Sequence, residues 1–242
     1  MRGERLSALL DPRDLDDSQQ RLRAALADAT TDAERAGVLT QLARLASWGD
    51  RFDEASSLLD EAEALAGESG EARARVLLER GRVVRQTGGG DAEALPLAWA
   101  AFETALAAHA HFVAADAAHA CALLGDMEAW TARGLEIAER HESAKYWRGT
   151  LLLNLGDSQW ERGDHAAALA TYEAALAARA RETRNPQLTE EARVGVARAL
   201  CALGRSAEAV PFLEQAVRWA DENRYDGSEA AEWRSRLSEV TR

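Results

Sequence analysis

The chain has 242 residues, enough for one large domain or two small ones. Ala, Leu, Glu and Arg dominate while β-branched and aromatic residues are sparse, which favours helices and argues against a sheet protein. A net charge of -12 argues against nucleic-acid binding through a global basic field, and only a local basic stripe could serve that role. The start, MRGERLSALLDPRD, lacks the apolar core of a signal peptide, and no run approaches the roughly 18 apolar residues of a membrane helix.

The first predicted element is an N-terminal cap over residues 1–32. Within it, residues 14–29 place Leu22, Ala25 and Leu26 on one helical face, and residues 4–10 are the candidate for a truncated first helix.

Five helix–turn–helix units follow the cap. The clearest is NLGDSQWERGDHAAALATYEAALAA, residues 154–178, in which a Gly163-Asp164 turn separates two segments of helical period. The same alternation recurs along the chain, and it predicts units over residues 36–73, 74–110, 111–148, 149–189 and 190–226. Residues 228–242 then place Ala230 and Trp233 on one face and charges on the other, as a terminal capping helix requires.

The clearest unit carries Leu155-Gly156 in its first segment and Ala168, Tyr172 and Ala175 in its second. This pattern resembles the tetratricopeptide repeat, whose usual period of about 34 residues is slightly shorter than the spacing here. The third unit departs most, because Trp130 and Gly134 stand where a small residue and an aromatic residue are expected. The resemblance implies an all-α, right-handed α–α superhelix of antiparallel helix pairs with capping helices, forming one solenoid domain over 1–242 in a bacterial protein.

The turns and crossing points have a physical reading of their own. Small residues such as Gly81 and Gly156 allow two helices to approach closely. Three glycines are predicted to end helices in the left-handed conformation, with an acidic residue following two of them: Gly125, Gly163 and Gly204.

In the family that the chain resembles, the first helix of each pair lines a concave face. The ninth residue of each unit faces it, and here these residues are Arg44, Arg82, His119, Asp157 and Arg198. The sixth position adds Gln41, Glu79, Asp116 and Asn154. With neighbouring inner positions included, the candidate partner-binding residues are Arg44, Trp48, Arg82, Arg85, His119, Asn154, Asp157, Trp160 and Arg198.

Arginine at three of five equivalent inner positions is unusual in an acidic chain. Because guanidinium groups bind carboxylates in a bidentate manner, one interpretation is a groove for an acidic peptide, a chain terminus or an anionic small ligand. The other is a solvated helix face with local ion pairs. Trp48 and Trp160 are likewise either anchors for a partner or core residues between units.

Several patterns favour ordinary structural roles. The histidines at 109, 111 and 119 lack a metal-ligand spacing. The segment TGGGDAEA, residues 87–94, has no phosphate-loop Lys and is interpreted as a flexible insertion, with a lid over the groove as the alternative. Arg179, Arg181 and Arg184 form the one convincing basic patch, typical of a helix C-terminus. Cys121 and Cys201, without CxxC spacing, are predicted to be reduced and buried.

No catalytic motif is found, so the sequence predicts no enzyme activity and no cofactor. The predicted function is a cytoplasmic protein- or peptide-binding scaffold that uses its concave face, with an acidic partner as one of the two interpretations of its arginines. Self-association through an uncovered end or the convex face is a further possibility. The alternative function is a ligand- or peptide-sensing module that changes its superhelical pitch on binding.

Overall fold

The computed structural model describes residues 3–180 and 185–242. The helices are α1 Gly3–Ser7, α2 Leu15–Asp28, α3 Asp32–Trp48, α4 Phe52–Ala66, α5 Gly70–Gln86, α6 Gly90–Ala107, α7 His111–Leu124, α8 Met127–Arg140, α9 Tyr146–Glu161, α10 His165–Arg179, α11 Pro186–Ala202, α12 Ser206–Glu222 and α13 Ser228–Val240. A 3-10 turn, Glu142–Ala144, precedes α9. The described ranges contain no strand, and the all-α prediction is confirmed.

Helices α3 to α12 form five consecutive pairs, one in each predicted repeat. Their first helices begin at residues 32, 70, 111, 146 and 186. The repeat starts predicted from the sequence lie at or up to four residues after these positions. The difference arises because polar first turns, which the apolar period misses, belong to the helices.

Side-chain caps explain where several of these helices begin. Thr31 and Ser69 accept hydrogen bonds from the backbone amides of Glu34 and Ala72, at the start of α3 and α5. Asp126 and Asp164 do the same for α8 and α10, as the Gly-Asp turns predict.

The turn glycines agree with the sequence analysis at two positions of three. Gly163 and Gly204 have φ values of 81° and 73°, in the left-handed region. Gly125 has a φ of -150°, so the prediction of a left-handed Gly125 is wrong. Only Gly125 and Asp126 separate α7 from α8, so the residue that follows Gly125 already caps α8.

The glycine-rich segment is a link and not an insertion. Helix α5 ends at Gln86 and α6 begins at Gly90, which leaves Thr87, Gly88 and Gly89 between them. Residues 90–94 belong to α6, so the predicted flexible insertion is wrong. A link of three residues spans at most roughly 11 Å, too little for a lid over a groove.

The chain folds as two compact units, residues 1–147 and 148–242. In the first unit, α3 packs against α4 and α5, and α5 packs against α6 and α7. The first helices therefore lie side by side, and we call them the α3–α5–α7 layer. The hydrophobic core of the first unit includes Leu22, Leu39, Leu45 and Val76.

The second unit is organised around one aromatic ring. Tyr172 on α10 is fully buried. An added Cβ on Gly156 of α9 or Gly195 of α11 would stand 2.7 Å and 2.6 Å from the Tyr172 ring. Both glycines are therefore required for three helices to meet on that ring. At the end of the unit, α13 buries Ala230 and Trp233.

Trp130 explains the irregular third repeat. Its ring contacts Phe102 edge-on, with centroids 5.1 Å apart, and contacts Trp99 at 5.5 Å. The large side chain on α8 thus packs against the second helix of the preceding pair.

The cysteines differ from each other. Cys121 is buried, and burial raises the pKa of its thiol to about 12. Cys201 is half-buried, so the prediction of two buried thiols holds for Cys121 alone. No helix among the described residues is long and apolar enough to cross a membrane.

Candidate functional site

The α3–α5–α7 layer carries an ion-pair network that joins all three helices. Arg44 of α3 places Nη2 2.6 Å from Glu79 Oε1 on α5 and 2.9 Å from Asp116 Oδ2 on α7. Arg82 of α5 donates from Nη1 to Glu79 Oε1 at 2.6 Å, and it also pairs with Asp116. We call these four residues the inner network.

The inner network is largely withdrawn from water. The side chains of Glu79 and Asp116 are 3% and 5% exposed, and that of Arg44 is 11% exposed. Burial raises the pKa of Glu79 to about 7, although the attraction of Arg44 opposes the shift. Burial also disfavours the charge of Arg44, but its two carboxylate partners overcome this and raise its pKa.

Two of the three inner arginines are thus bonded to buried carboxylates of their own chain. The interpretation as local ion pairs describes Arg44 and Arg82, but their partners are buried and not solvated. When Glu79 is ionised, the two cations and two carboxylates balance, and the inner network then offers little net charge to a ligand.

A small pocket lies beside the inner network, at the C-terminal halves of α5 and α7. It has a volume of about 80 Å³. Arg82, Arg85 and His119 supply its polar groups, while Leu78 and Leu123 are among its apolar lining. We call it the Arg82–Arg85 pocket, and it brings three of the predicted site residues together.

Arg85 is the most accessible cation of this pocket. Its side chain is 45% exposed and pairs with Asp91, itself 54% exposed, over 2.8 Å. An exposed pair of this kind contributes little stability and exchanges readily with water, so Arg85 can change partner at low cost.

Trp48 stands at the end of α3 and is 40% exposed. It is therefore not a core residue, unlike the buried Trp130 and Trp147. The preceding Ser47 donates its hydroxyl to Gln86 Oε1 on α5 at 2.5 Å, which joins the ends of the two helices and positions the Trp48 backbone.

The second unit groups the remaining aromatic candidate with a different ion pair. Arg198 Nη2 lies 2.7 Å from Asp157 Oδ1, and the hydroxyl of Tyr172 donates to the same oxygen at 2.6 Å. The Arg198 guanidinium also lies 4.6 Å from the centre of the half-buried Trp160 ring. Burial raises the pKa of Tyr172, which keeps the hydroxyl protonated as the donor.

Four other predictions find simpler outcomes. Asn154 is half-buried on α9. His111 stacks on His141 with ring centroids 3.4 Å apart, and the described residues contain no cluster of three metal-ligating side chains. Arg179 is 1% exposed and donates to the Thr150 hydroxyl, so it is not part of a surface patch. Arg181 and Arg184 lie outside the described residues.

Sequence reasoning missed the ion pairs between the side chains of the inner network. Glu79 and Asp116 occupy the sixth position of their repeats, and each receives an arginine from the ninth position of the preceding repeat. A sequence signal could have found this network. It is an Asp or Glu at the sixth position of one repeat, after an arginine at the ninth position of the preceding repeat. The repeat pattern predicts that Tyr172 fills the space toward the next unit, but it does not predict the hydrogen bond to Asp157.

Comparison with known proteins agrees with the fold. Residues 147–222 match the family model of the tetratricopeptide repeat. Residues 147–222 thus carry tetratricopeptide repeats, and the chain has the all-α fold of proteins built from them. No curated protein shows significant sequence similarity to it.

Solved structures share the fold of this repeat protein at low sequence identity. BtubC (BKLC) from P. vanneervenii is 17% identical with a TM-score of 0.67, and the match covers 92% of each chain. The apo form of the quorum sensor NprR from B. thuringiensis is 13% identical with a TM-score of 0.63, covering 97% of this chain and 68% of NprR.

A third structure is a signal transduction ATPase with numerous domains and a tetratricopeptide repeat sensor, from Pyrococcus horikoshii. It is 14% identical with a TM-score of 0.69, and the match covers 93% of this chain but 36% of that protein. These likenesses concern the fold, because the identities are too low to transfer a ligand.

Proposed function

We propose that this tetratricopeptide repeat protein is a non-enzymatic scaffold whose α3–α5–α7 layer binds a protein or peptide segment bearing an acidic residue. The observation that carries the proposal is the Arg82–Arg85 pocket. It combines two guanidinium groups with an apolar lining in an open position on the layer.

The chemistry of the pocket favours an acidic side chain. A guanidinium group has only donors, so a ligand must supply acceptors. Among the described residues that line the pocket, none is acidic. A carboxylate on a short aliphatic stem suits both the polar and the apolar lining of the pocket. Its oxygens accept hydrogen bonds from the guanidinium groups, and its methylenes pack against Leu78 and Leu123.

The inner network limits which arginine does the binding. Arg44 holds two buried carboxylates, and moving it toward a ligand would leave both with Arg82 as their remaining partner in the inner network. Arg85 gives up only an exposed pair. We therefore assign the main contact to Arg85, with Trp48 as an accessible aromatic surface on the same layer.

A peptide library displayed on phage tests the proposal. Binders selected on the wild-type chain should be enriched in Asp or Glu next to an aliphatic residue. Arg85→Glu should weaken their binding at least tenfold, because it places like charges in contact. Arg51→Glu is the matched control, since Arg51 is 43% exposed and pairs with an exposed carboxylate, that of Glu54.

Two results would contradict the proposal. One is a set of binders without acidic residues. The other is an equal loss of affinity in Arg85→Glu and Arg51→Glu, which would indicate a general charge effect and not a contact in the pocket.

A sensing module is the second candidate function. It is favoured by two similar folds that belong to sensors, one of them also solved with its cognate peptide NprX at a TM-score of 0.54. It predicts that a selected peptide reduces the radius of gyration in small-angle scattering at saturation. An unchanged radius of gyration would contradict the sensing function and leave the scaffold function as the proposal.

A cytoplasmic location and self-association also belong to the proposal. Sedimentation at increasing concentration tests the second, because a mass that stays monomeric would exclude it.

A further inference from the structure

The N-terminal helix lies on the same layer that the proposed function uses. Helix α1, Gly3–Ser7, contacts both α3 and α7, which are separated within the layer by α5. A segment that reaches both helices runs across the layer. Its Leu6 side chain is only 1% exposed.

Leu6 occupies a slot between α3 and α5. Gly37 of α3 provides the space, since an added Cβ there would stand 3.1 Å from Leu6 Cδ1. The slot continues past Leu6 into a pocket of about 190 Å³, lined by Ala33, Ala72 and Arg75 among others. Leu6 therefore fills the slot only in part, and a different side chain could fill more of it.

The cation at the polar end of the slot is Arg75, and its ion pair with Glu71 is long. The Arg75 side chain is 5% exposed, and it donates to Glu71 Oε1 at 3.2 and 3.3 Å. Charge-assisted bonds of this type are commonly about 2.7–2.9 Å. A ligand acceptor that entered the pocket would find a buried guanidinium whose present bonds are long.

Helix α1 depends on this contact for its own structure. It has five residues, whereas isolated helices shorter than about 12–15 residues are marginal in water. Leu9 and Leu10 are half-buried against the same core cluster as Leu6, and Arg5 is exposed. Loss of the Leu6 contact would thus release the whole segment.

We propose that residues 3–10 are an intramolecular occupant of a leucine-binding slot on the α3–α5–α7 layer, and that a partner segment presenting a leucine displaces them. The inference rests on the proposed function in one respect, because it places the partner on the same layer.

The layer also sets the form of the partner. Arg75 in the slot and Arg82 in the Arg82–Arg85 pocket are seven residues apart on α5, or about 10 Å along the helix axis. An extended segment covers that distance in about three residues. A partner that uses both sites would carry its leucine and its acidic residue at that spacing.

The test uses full-length chains and the chain's own segment as the probe. A fluorescein-labelled peptide of residues 3–14, GERLSALLDPRD, is titrated against wild type and against Leu6→Asp, with binding read by anisotropy. Leu6→Asp should bind the peptide at least tenfold more tightly, because a tethered segment competes at an effective concentration near the millimolar range in wild type. Adding Gly37→Val to Leu6→Asp should abolish binding by blocking the slot.

Leu106→Asp is the matched control. It makes the same Leu-to-Asp substitution at an exposed residue of α6, away from the slot. It should bind the peptide as weakly as wild type. Equal affinity of wild type and Leu6→Asp would overturn the inference, as would unchanged binding after Gly37→Val is added.

If circular dichroism shows that Leu6→Asp has lost helix, Gly37→Val alone replaces it. That variant keeps residues 3–10 intact but expels Leu6, and it should speed tryptic cleavage after Arg5 severalfold. Unchanged cleavage would overturn the inference. If the peptide binds in trans while Arg85→Glu leaves the affinity of the selected binders unchanged, the slot is supported and the Arg82–Arg85 pocket is not. If Arg85→Glu weakens those binders while the peptide fails to bind in trans, the pocket is supported and the slot is not.

Discussion

The two units use an arginine at the same repeat position in opposite ways. In the first unit, Arg44 meets Glu79 and Asp116 on two neighbouring helices, and the group is nearly dry. In the second unit, Arg198 meets one carboxylate that is 47% exposed, together with aromatic rings. The neighbours at the sixth position decide the difference, because no buried carboxylate pair lies beside Arg198 among the described residues of the second unit. A ninth-position arginine therefore pairs with two buried carboxylates in one unit and with one half-exposed carboxylate in the other.

The largest expected effect comes from breaking the inner network at Arg44. Arg44→Met would leave Glu79 and Asp116 buried with Arg82 alone, at a cost of about 3–5 kcal/mol at pH 8. Urea unfolding measures the loss. The control Arg51→Met, which removes an exposed pair, should cost less than about 1 kcal/mol; similar losses in both variants would show that burial does not distinguish the two kinds of pair.

A pH series sharpens the same contrast. Burial holds the pKa of Glu79 at about 7 in the folded chain, above the ordinary value of about 4.3 that it has when unfolded. A carboxyl group with a raised folded pKa stabilises the fold when protonated, and this contribution is lost as the pH rises through 7. The wild type should lose stability between pH 5 and pH 8 relative to Glu79→Gln, which cannot titrate.

The difference between the two unfolding free energies, measured against pH, checks this. Arg44→Met should show a steeper fall over the same range, because Glu79 then lacks its main counter-charge. A difference that is flat with pH would mean that Glu79 ionises like an exposed residue.

The second unit should be more sensitive to packing than to charge. Gly195→Ala places a methyl group 2.6 Å from the Tyr172 ring, and overpacking of this type costs about 1–3 kcal/mol. The better helix propensity of Ala offsets part of it. Thermal unfolding measures the net loss, and Tyr172→Leu in the same chain should reduce the penalty of Gly195→Ala, since the two sites share one contact.

Asp157→Ala should have the smallest effect. It removes an acceptor for Arg198 and the Tyr172 hydroxyl, but the side chain is 47% exposed and water can replace it. We expect a loss of about 1 kcal/mol or less in urea unfolding. A loss as large as that of Arg44→Met would erase the contrast between the units.

The sequence predicted the all-α fold of helix pairs, because such pairs follow from a local period of apolar and small residues. It did not predict the bond from Arg44 to Asp116, since this joins residues 72 positions apart in the first and third repeats. That contact depends on the stagger between successive first helices, which no single repeat encodes.

The same limit applies to the N-terminal segment and to Gly125. The sequence placed residues 4–10 in a truncated repeat, but the contact of Leu6 with α3 depends on Gly37, whose missing side chain leaves no apolar signal in the periodicity. Glycine is the residue typical of a left-handed helix end, which is why the sequence predicted that conformation for Gly125. The link between α7 and α8 has only two residues, and this length decides the conformation of Gly125.

The short link at Thr87–Gly89 has a practical consequence. A side chain at Gly88 would meet no atom within 4 Å, so the chain there faces open solvent between two helices that are well packed against each other. A reporter such as a small fluorescent tag inserted after Gly88 would sit at the edge of the layer without entering a core. It would give a label close to Arg85, and binding could then be followed in the intact molecule without touching either terminus.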